Sequence, residues 1–461
     1  MKKILFIILS LALFTACERK IDEFKASANG LDFSKFVSVG NSLTAGYADG
    51  ALYLSGQENS IPNIMAKQFQ TVGGGEFKQP LISTEDGVGF QPIPGGIYCY
   101  TKRVLALVPD KDCAGNPVGT VSLKPDFVST PDQATLLGQL FTPPTVTGPY
   151  NNMGVPGATV QTLFAPGYGS SQGNPYFTRF ASAPMATILH DAVVQQPSFF
   201  YLWIGNNDVL ASALAGTDAQ LTPLPVFTQF YNMAVDSLLA SGKSPKGVIA
   251  TIPDVTTIPF FTTISKQLPY NSVVLDTTQA AGLTLLYGMY GHPDIKWHVG
   301  QNPFVYIKTD GTWAQMQAGD LFLLTLPTDS IKCKGMGVGD AVALKPYPIP
   351  GKYVLDKSEQ YNIQERVAQF NAVISQTAAN KNLALADMNG YLKQFASGMV
   401  FDGIKMSTTF VTGGMFSTDG VHLNPRGNCV AANFFIQAIN LKYNSNIPQA
   451  NVTNYPGLVF P

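Results

Sequence analysis

The chain has 461 residues, of which 43 are Gly and 32 are Pro, and only 13% are charged. A hydrophobic content of 45% is enough to build a core, and with a net charge of −1 it excludes an intrinsically disordered chain. The low charge excludes a coiled coil, and 29 basic against 30 acidic residues leave no positive excess for binding nucleic acid. The length allows two or three domains, or one domain with large insertions.

The amino terminus has the pattern of an export signal. Met1-Lys2-Lys3 is a short basic start, and the 13 residues from Ile4 to Ala16 are predominantly apolar. A membrane-spanning helix needs about 20 apolar residues, so this run is too short to be one. A basic start followed by a run of this length is typical of a secretory signal peptide.

Thr15-Ala16-Cys17 resembles the lipobox of bacterial lipoproteins, in which the Cys is lipidated and becomes the first mature residue. The usual Leu three residues before the Cys is Phe14 here. We therefore expect a lipoprotein signal peptide over residues 1–16, lipid on Cys17, and a polar tether over residues 17–31. The alternative is an ordinary cleaved signal with an incidental Cys. A lipid anchor would place the protein at the outer membrane, on its periplasmic or cell-surface side.

An exported protein meets an oxidising compartment in which disulfides form. Cys99 and Cys113 enclose a short loop and are the predicted disulfide, because closing a loop of about 15 residues contributes roughly 3 kcal/mol. Cys333 and Cys429 have no obvious partner nearby in the sequence. Cys429 lies on the apolar face of a predicted helix and is expected to be a buried free thiol. No Cys or His spacing suggests a metal site.

The first predicted strand is Phe36 to Val39, and it ends in the turn Gly40-Asn41-Ser42. A helix is predicted from Ser60 to Phe69, since Ser60 shortly before a Pro is a helix-start signal. Residues 73–150 are rich in Gly and Pro and show no sustained helical period. They are predicted to be an insertion with short strands or irregular structure.

Strands and helices alternate after this insertion. The predicted elements are a helix at 183–195, a strand at 199–204, a helix at 226–241, a strand at 247–252, a helix at 364–380, a strand at 383–387 and a helix from 424 to about 439. The unbroken apolar run from Phe199 to Ile204 is typical of a strand buried on both faces of a parallel sheet. The alternation predicts an α/β fold with a parallel sheet over residues 32–445.

Two further segments complete the predicted organisation. Residues 256–358 are a second, largely irregular insertion with one clear apolar strand from Leu321 to Leu326. Residues 446–461 form a carboxyl-terminal tail.

Ser42 is the candidate nucleophile. Ligands bind beyond the carboxyl ends of the strands of an open parallel sheet, and a Ser at a strand-to-helix turn is exposed there. Its hydroxyl needs a base, and of the four His residues only His422 has a carboxylate three residues earlier, Asp419. That spacing lets Asp419 fix the tautomer of His422 and leaves Nε2 for Ser42.

Four segments of the chain, taken in order, resemble the four sequence blocks of the SGNH hydrolases, which are also called GDSL esterases or lipases. The blocks are Gly40-Asn41-Ser42-Leu43, with Asn41 where the family usually has Asp; the segment 154–159 with Gly157; Gly205-Asn206-Asn207-Asp208; and Asp419-Gly420-Val421-His422. The resemblance implies a catalytic triad of Ser42, Asp419 and His422. It also implies an oxyanion hole made by the backbone N–H groups of Ser42 and Gly157 and the side chain of Asn207.

The same resemblance implies a three-layer α/β/α, flavodoxin-like fold, enlarged by the insertions at 73–150 and 256–358. It implies a serine ester hydrolase that forms an acyl-enzyme on Ser42, with no metal or organic cofactor. An anchored glycan- or lipid-binding protein on a degenerate hydrolase fold, and an acyltransferase, remain as alternatives. Small-molecule esters, lipid esters, acetylated glycans and thioesters all remain possible substrates.

Overall fold

A computed structural model describes residues 24–242 and 244–461. The predicted signal peptide and Cys17, the predicted lipidation site, lie outside the described residues. Among the helices of the described part, none is both long enough and apolar enough to cross a membrane.

The strands of the described residues fall into one central sheet and several small ones. In chain order they are β1 (Phe36–Gly40), β2 (Gly89–Ile93), β3 (Gly96–Tyr100), β4 (Arg103–Lys111), β5 (Pro117–Phe127), β6 (Asn152–Gly154), β7 (Phe199–Trp203), β8 (Lys246–Ala250), β9 (Val273–Leu275), β10 (Gly300–Asn302), β11 (Val305–Ile307), β12 (Trp313–Gln315), β13 (Leu321–Phe322), β14 (Ile349–Pro350), β15 (Val354–Leu355), β16 (Ala384–Ala386), β17 (Met399–Phe401) and β18 (Ile404–Met406).

The α-helices range from one turn to more than six. In chain order they are α1 (Ser42–Ala45), α2 (Leu54–Glu58), α3 (Ile61–Gln70), α4 (Gln133–Phe141), α5 (Pro175–Thr178), α6 (Ile188–Val193), α7 (Asn207–Leu214), α8 (Leu224–Ala240), α9 (Pro259–Gln267), α10 (Thr277–Met289), α11 (Thr328–Lys334), α12 (Lys357–Asn380), α13 (Met388–Gln394) and α14 (Pro425–Tyr443). Single turns of 3-10 helix occur at Thr162–Phe164, Val255–Thr257, Gly351–Tyr353 and Val452–Asn454.

Five parallel strands form the central sheet, in the order β6-β1-β7-β8-β16. This is the flavodoxin-like order, in which the first strand of the chain lies inside the sheet. Every residue of β1 and β7 is buried, as expected for strands covered on both faces. The predicted α/β fold with a parallel central sheet is confirmed.

Helices cover both faces of the sheet. Successive side chains of β7 point to opposite faces, and Tyr201 packs on Phe435 of α14 with ring centroids 4.7 Å apart. On the other face α8 packs against α12, where Phe227 stacks on Phe370 at 3.7 Å. Helix α3 lies beside α14. The result is the predicted three-layer arrangement.

Residues 73–150 hold two antiparallel hairpins and helix α4. Strands β4 and β5 form a ribbon of nine and eleven residues, longer than the short strands that were predicted. Strand β5 is largely exposed and lacks the burial pattern by which long strands are recognised, whereas in β4 partly buried and exposed residues alternate from Ala106 to Lys111.

The predicted disulfide between Cys99 and Cys113 is wrong. Cys113 is bonded to Cys333, with the Cα atoms 5.2 Å apart, and Cys99 is a buried free thiol. Cys99 lies in β3, whereas β4 carries the chain about 30 Å outward at roughly 3.3 Å per residue before it reaches Cys113. The disulfide therefore joins the ribbon to the second insertion. Cys429 is buried and free, as predicted.

The second insertion contains more regular structure than its sequence suggested. Helices α9 and α10 were not predicted, and the expected strand at 321–326 is only the two residues of β13. The segment has hydrophobic cores of its own, around Phe304 and around Tyr287. It reaches the loop before α14, because the backbone N–H of Phe260 donates to the carbonyl of Gly420 at 2.9 Å.

Both ends of the described chain pack on the domain. Ser27 pairs with Asn446 through two backbone hydrogen bonds of 3.1 and 2.8 Å, so part of the expected tether is docked. The tail is held by Asn433, which exchanges two hydrogen bonds with Ala450. The hydroxyl of Tyr443, at the end of α14, donates to the carbonyl of Gly247 near the start of β8. Ser27 therefore lies at the side of the sheet where the amino-terminal ends of the parallel strands meet.

Candidate active site

The candidate nucleophile lies in a tightly packed turn. Ser42 follows β1 directly and begins α1, and its residue is only 8% exposed. The preceding Asn41 caps α1 by accepting from the N–H of Leu43 at 3.1 Å, and its amide donates to Oδ1 of Asn206 at 3.2 Å. Asn41 thus shapes the turn. A Cβ on Gly40 would lie 2.6 Å from the carbonyl oxygen of Trp203, so this position requires glycine.

A chain of two hydrogen bonds joins three of the predicted residues. Nε2 of His422 lies 2.8 Å from Oγ of Ser42, and Nδ1 of His422 lies 2.8 Å from Oδ2 of Asp419. Ser42 and His422 are 380 residues apart in the chain. The arrangement allows His422 to accept a proton from the Ser42 hydroxyl while Asp419 fixes the ring's orientation and tautomer.

Asp419 is held as a carboxylate. Its Oδ1 accepts from the backbone N–H groups of Val421 and His422 at 2.8 and 2.9 Å, and its Oδ2 accepts from the N–H of Gly50 at 3.0 Å. Burial by itself would raise the pKa of Asp419, but the electrostatic interaction and hydrogen bonds with His422, together with the backbone hydrogen bond from Val421, outweigh it. The net effect keeps the pKa of Asp419 well below its usual range.

Three oxyanion donors were predicted, and two of them, Gly157 and Asn207, lie next to each other beyond the sheet, whereas the third, the backbone N–H of Ser42, is at the start of α1. Gly157 has φ of +84°, a conformation that favours glycine. Nδ2 of Asn207 donates to the carbonyl of Ala158, the next residue, at 2.9 Å. An amide carries two N–H groups, so one of them is left for a ligand. Asn207 lines the same cavity as Ser42 and His422.

Asp208 connects two loops behind the site. Its carboxylate accepts from the N–H of Val160 at 3.1 Å and from the hydroxyl of Thr222 at 2.9 Å. Burial raises the pKa of Asp208 to about 7, and those two hydrogen bonds only partly oppose this shift. Its position fits a structural role.

Sequence reasoning missed a second buried carboxylate beside the site. Asp49 accepts from the hydroxyl of Tyr53 at 2.7 Å, and its own N–H donates to Oγ of Ser417 at 3.0 Å. Oγ of Ser417 in turn donates to Oδ1 of Asp419 at 2.9 Å. Burial raises the pKa of Asp49. No signal in the sequence connects Asp49 to residues more than 360 positions away.

An apolar cavity opens beside Ser42 at the carboxyl ends of β1, β7, β8 and β16. Ser42, Asn207 and His422 contribute to its wall, and its other lining residues include Leu210, Val255, Met388, Tyr391, Leu392, Met415 and Phe416. We call this space the apolar cavity. In the described part of the chain, no group of three or more His, Cys, Asp or Glu side chains is placed to hold a metal ion.

No protein-family model and no curated protein matches the chain. Two solved structures are similar to it at 10% sequence identity. One is an extracellular lipase from Streptomyces rimosus, with a TM-score of 0.33 over 88% of this chain and 98% of that one. The other is a lipase/acylhydrolase from Enterococcus faecalis, with a TM-score of 0.26 over 64% of this chain and 77% of that one.

Proposed function

We propose that the protein is a serine ester hydrolase of the SGNH type. The observation that carries the proposal is the pair of 2.8 Å contacts that connect Ser42, His422 and Asp419 at the carboxyl edge of the sheet. A serine hydroxyl is a weak nucleophile until a base is placed to take its proton. Here His422 is placed to act as that base, Asp419 orients it, and Asn207 lines the same cavity as Ser42.

The reaction proceeds in two halves. Oγ of Ser42 attacks the ester carbonyl while Nε2 of His422 takes the hydroxyl proton. The negative oxygen of the tetrahedral intermediate is held by the backbone N–H groups of Ser42 and Gly157 and the side-chain amide of Asn207. His422 then returns the proton to the leaving alcohol, which leaves an acyl group on Ser42. Water attacks the acyl-enzyme with His422 again as base, and the carboxylic acid is released.

The test is turnover and covalent labelling of the folded protein. Wild type should hydrolyse p-nitrophenyl butyrate and react with a fluorophosphonate probe at Ser42, and Ser42→Ala should lose both. Ser34→Ala, at an exposed position before β1, is the control and should retain both. Labelling of Ser42→Ala at the wild-type rate would overturn the assignment.

The alternatives predict different results. A binding protein on a degenerate fold would leave Ser42 unlabelled, although the protein is folded. An acyltransferase would label, but it would form a new ester when a second alcohol is supplied. Product analysis by mass spectrometry with and without glycerol separates hydrolysis from transfer.

We also propose that a lipid on Cys17 anchors the protein at the outer membrane. Ser27 docks at the amino-terminal edge of the sheet, and the triad lies at the opposite edge. An anchor attached through this end would leave the active site facing away from the anchoring membrane. Cys17→Ser should release the protein from the membrane fraction and leave ester turnover unchanged.

A further inference from the structure

The apolar cavity is built by five separate parts of the chain. Leu210 lies on α7, Val255 on the 3-10 turn after β8, Leu392 on α13, and Phe416 in the loop before α14. All four are buried, with at most 8% of each residue exposed. Ser42, from the turn after β1, completes the wall. The cavity therefore begins at the reacting hydroxyl and runs among apolar side chains.

Three polar side chains of this wall are hydrogen-bonded to protein partners. Nε1 of Trp203 donates to the carbonyl of Thr251 at 3.1 Å, so the indole presents its ring to the cavity. The side chains of Asn41 and Asn206 bond each other. A sugar placed here would lose water from its hydroxyl groups without gaining matching partners. A hydrocarbon chain has no hydroxyl groups that would lose their hydrogen bonds to water, and it gains apolar contacts.

The cavity suits the acyl group better than the alcohol. The acyl group stays bonded to Ser42 through the second half of the reaction, whereas the alcohol must leave and water must take its place. A space lined by apolar side chains holds a chain but does not favour the entry of water.

The size of the cavity limits the length of the chain. Its volume is about 70 Å³. A cavity needs about 10–15 Å³ to hold one water molecule, so this volume is on the order of five to seven water-sized groups. A methylene group is close to water in size. An acetyl group would leave most of the cavity unfilled, and a long fatty acyl chain would exceed it.

We propose that the apolar cavity binds the acyl chain of the substrate and selects acyl groups of about four to eight carbons. This inference rests on the proposed ester hydrolase function. It distinguishes among the substrates that the sequence left open, since it favours esters of short and medium fatty acids over acetylated glycans and over esters of long fatty acids.

The first test is the specificity constant kcat/KM for p-nitrophenyl esters of two to sixteen carbons, each below its critical micelle concentration. A buried methylene contributes roughly fourfold in affinity, so hexanoate should exceed acetate by on the order of 100-fold, with a decline beyond about ten carbons. A profile flat within threefold, or one that peaks at acetate or palmitate, would overturn the inference.

Variants of the cavity wall test whether the cavity itself, and not a general property of the esters, sets the preference for acyl-chain length. Val255→Phe should fill the cavity and lower the ratio of hexanoate to acetate kcat/KM at least tenfold. Leu392→Ala should enlarge it and move the optimum toward longer chains. Val194→Phe, at a 57% exposed position at the end of α6, should leave the profile unchanged. An unchanged profile in both cavity variants would contradict the assignment.

A binding experiment separates failure of this inference from failure of the proposed function. Ser42→Ala protein is titrated calorimetrically with hexanoate and with acetate, and hexanoate should bind at least tenfold more tightly. If wild type hydrolyses no ester and Ser42 is not labelled, the ester hydrolase proposal fails. The titration alone then decides whether the apolar cavity binds an acyl chain. If esters of all lengths are hydrolysed equally and hexanoate binds no better than acetate, the cavity assignment fails and the hydrolase proposal stands.

Discussion

Thr418 donates two hydrogen bonds to Oδ1 of Asp49, one from its backbone N–H and one from its hydroxyl, each 2.9 Å long. Asp49 follows the turn that carries Ser42, and Thr418 directly precedes Asp419. The two residues are 369 positions apart. This contact fixes the relative position of the two loops that carry Ser42 and His422. Proton transfer requires these two side chains to stay within hydrogen-bonding distance.

Asp49 is therefore predicted to be a positioning residue. Asp49→Ala should lower kcat about 10- to 100-fold with little change in KM, and should lower the free energy of unfolding by about 1–3 kcal/mol because Thr418 loses its acceptor. Asp49→Asn keeps one acceptor oxygen and should restore part of kcat. Steady-state kinetics and urea denaturation measure both effects.

The control for Asp49 is Asp276, which caps α10 in the second insertion. Asp276→Ala should cost about 1 kcal/mol of stability and leave kcat unchanged. Equal losses of kcat in Asp49→Ala and Asp276→Ala would show that Asp49 contributes only to stability.

Asp419→Asn should lower kcat by about 10³- to 10⁴-fold, because an amide N–H facing Nδ1 stabilises the tautomer in which Nε2 carries the proton. In that tautomer His422 cannot accept the proton of Ser42. The measurement is kcat for p-nitrophenyl butyrate together with the rate of fluorophosphonate labelling. A decrease of less than tenfold in both rates would argue against the triad.

Asn207→Ala should lower kcat by about 10²- to 10³-fold, since removing one donor from an oxyanion hole has effects of that size. KM should change little, because the donor contacts charge that develops only in the transition state. Asn380→Ala, at an exposed position near the end of α12, is the matched control. A raised KM with unchanged kcat would instead assign Asn207 to ground-state binding.

Asp208 should make stability depend on pH. Its pKa is raised from 3.8 to about 7 by burial, so the folded state binds a proton more tightly than the unfolded state. The protein should therefore lose stability as pH rises from about 4 to 7, by up to about 4 kcal/mol.

Asp208→Asn removes this dependence. The amide can accept from the N–H of Val160 and donate to the hydroxyl of Thr222, so both hydrogen bonds have a replacement. The free energy of unfolding of Asp208→Asn relative to wild type should increase between pH 4 and pH 8, as measured by urea denaturation. A relative stability that is the same at both pH values would contradict a raised pKa.

Breaking the disulfide should destabilise the protein. Cys333→Ser frees Cys113 and should lower the free energy of unfolding by about 2–4 kcal/mol. A digest without reductant should contain a peptide pair that joins Cys113 to Cys333, and Cys99→Ala should leave that pair in place. A cross-link between Cys99 and Cys113 in the digest would contradict the structure.

Several features of the fold follow from local patterns. The apolar runs of β1 and β7 predict strands buried on both faces, and Ser60 with Pro62 predicts the start of α3 within one residue. Helix α12, by contrast, begins at Lys357, seven residues before the predicted start at 364, where Asp356 and Glu359 form a capping box. Helix starts depend on these local side-chain contacts, so an unnoticed cap moves the boundary.

The structure of the insertions could not be predicted from local sequence patterns. Strand β5 is largely exposed, so its pairing with β4 leaves no clear signal in the sequence. The partner of Cys113 is Cys333, 220 residues away. Distance along the chain favours a nearby partner, but the ribbon carries Cys113 away from Cys99.

The sequence by itself determined the parallel α/β architecture and identified Ser42, Asp419 and His422 as candidate catalytic residues. The architecture follows from apolar runs within single strands, and the candidates follow from short motifs of a few residues each. Only the tertiary structure decided that Nε2 of His422 lies 2.8 Å from Oγ of Ser42. The tertiary structure also decided that Asp49 holds Thr418 and that an apolar cavity begins at Ser42. These contacts join residues hundreds of positions apart, and they arise because the strands of a parallel sheet bring their carboxyl ends to one edge.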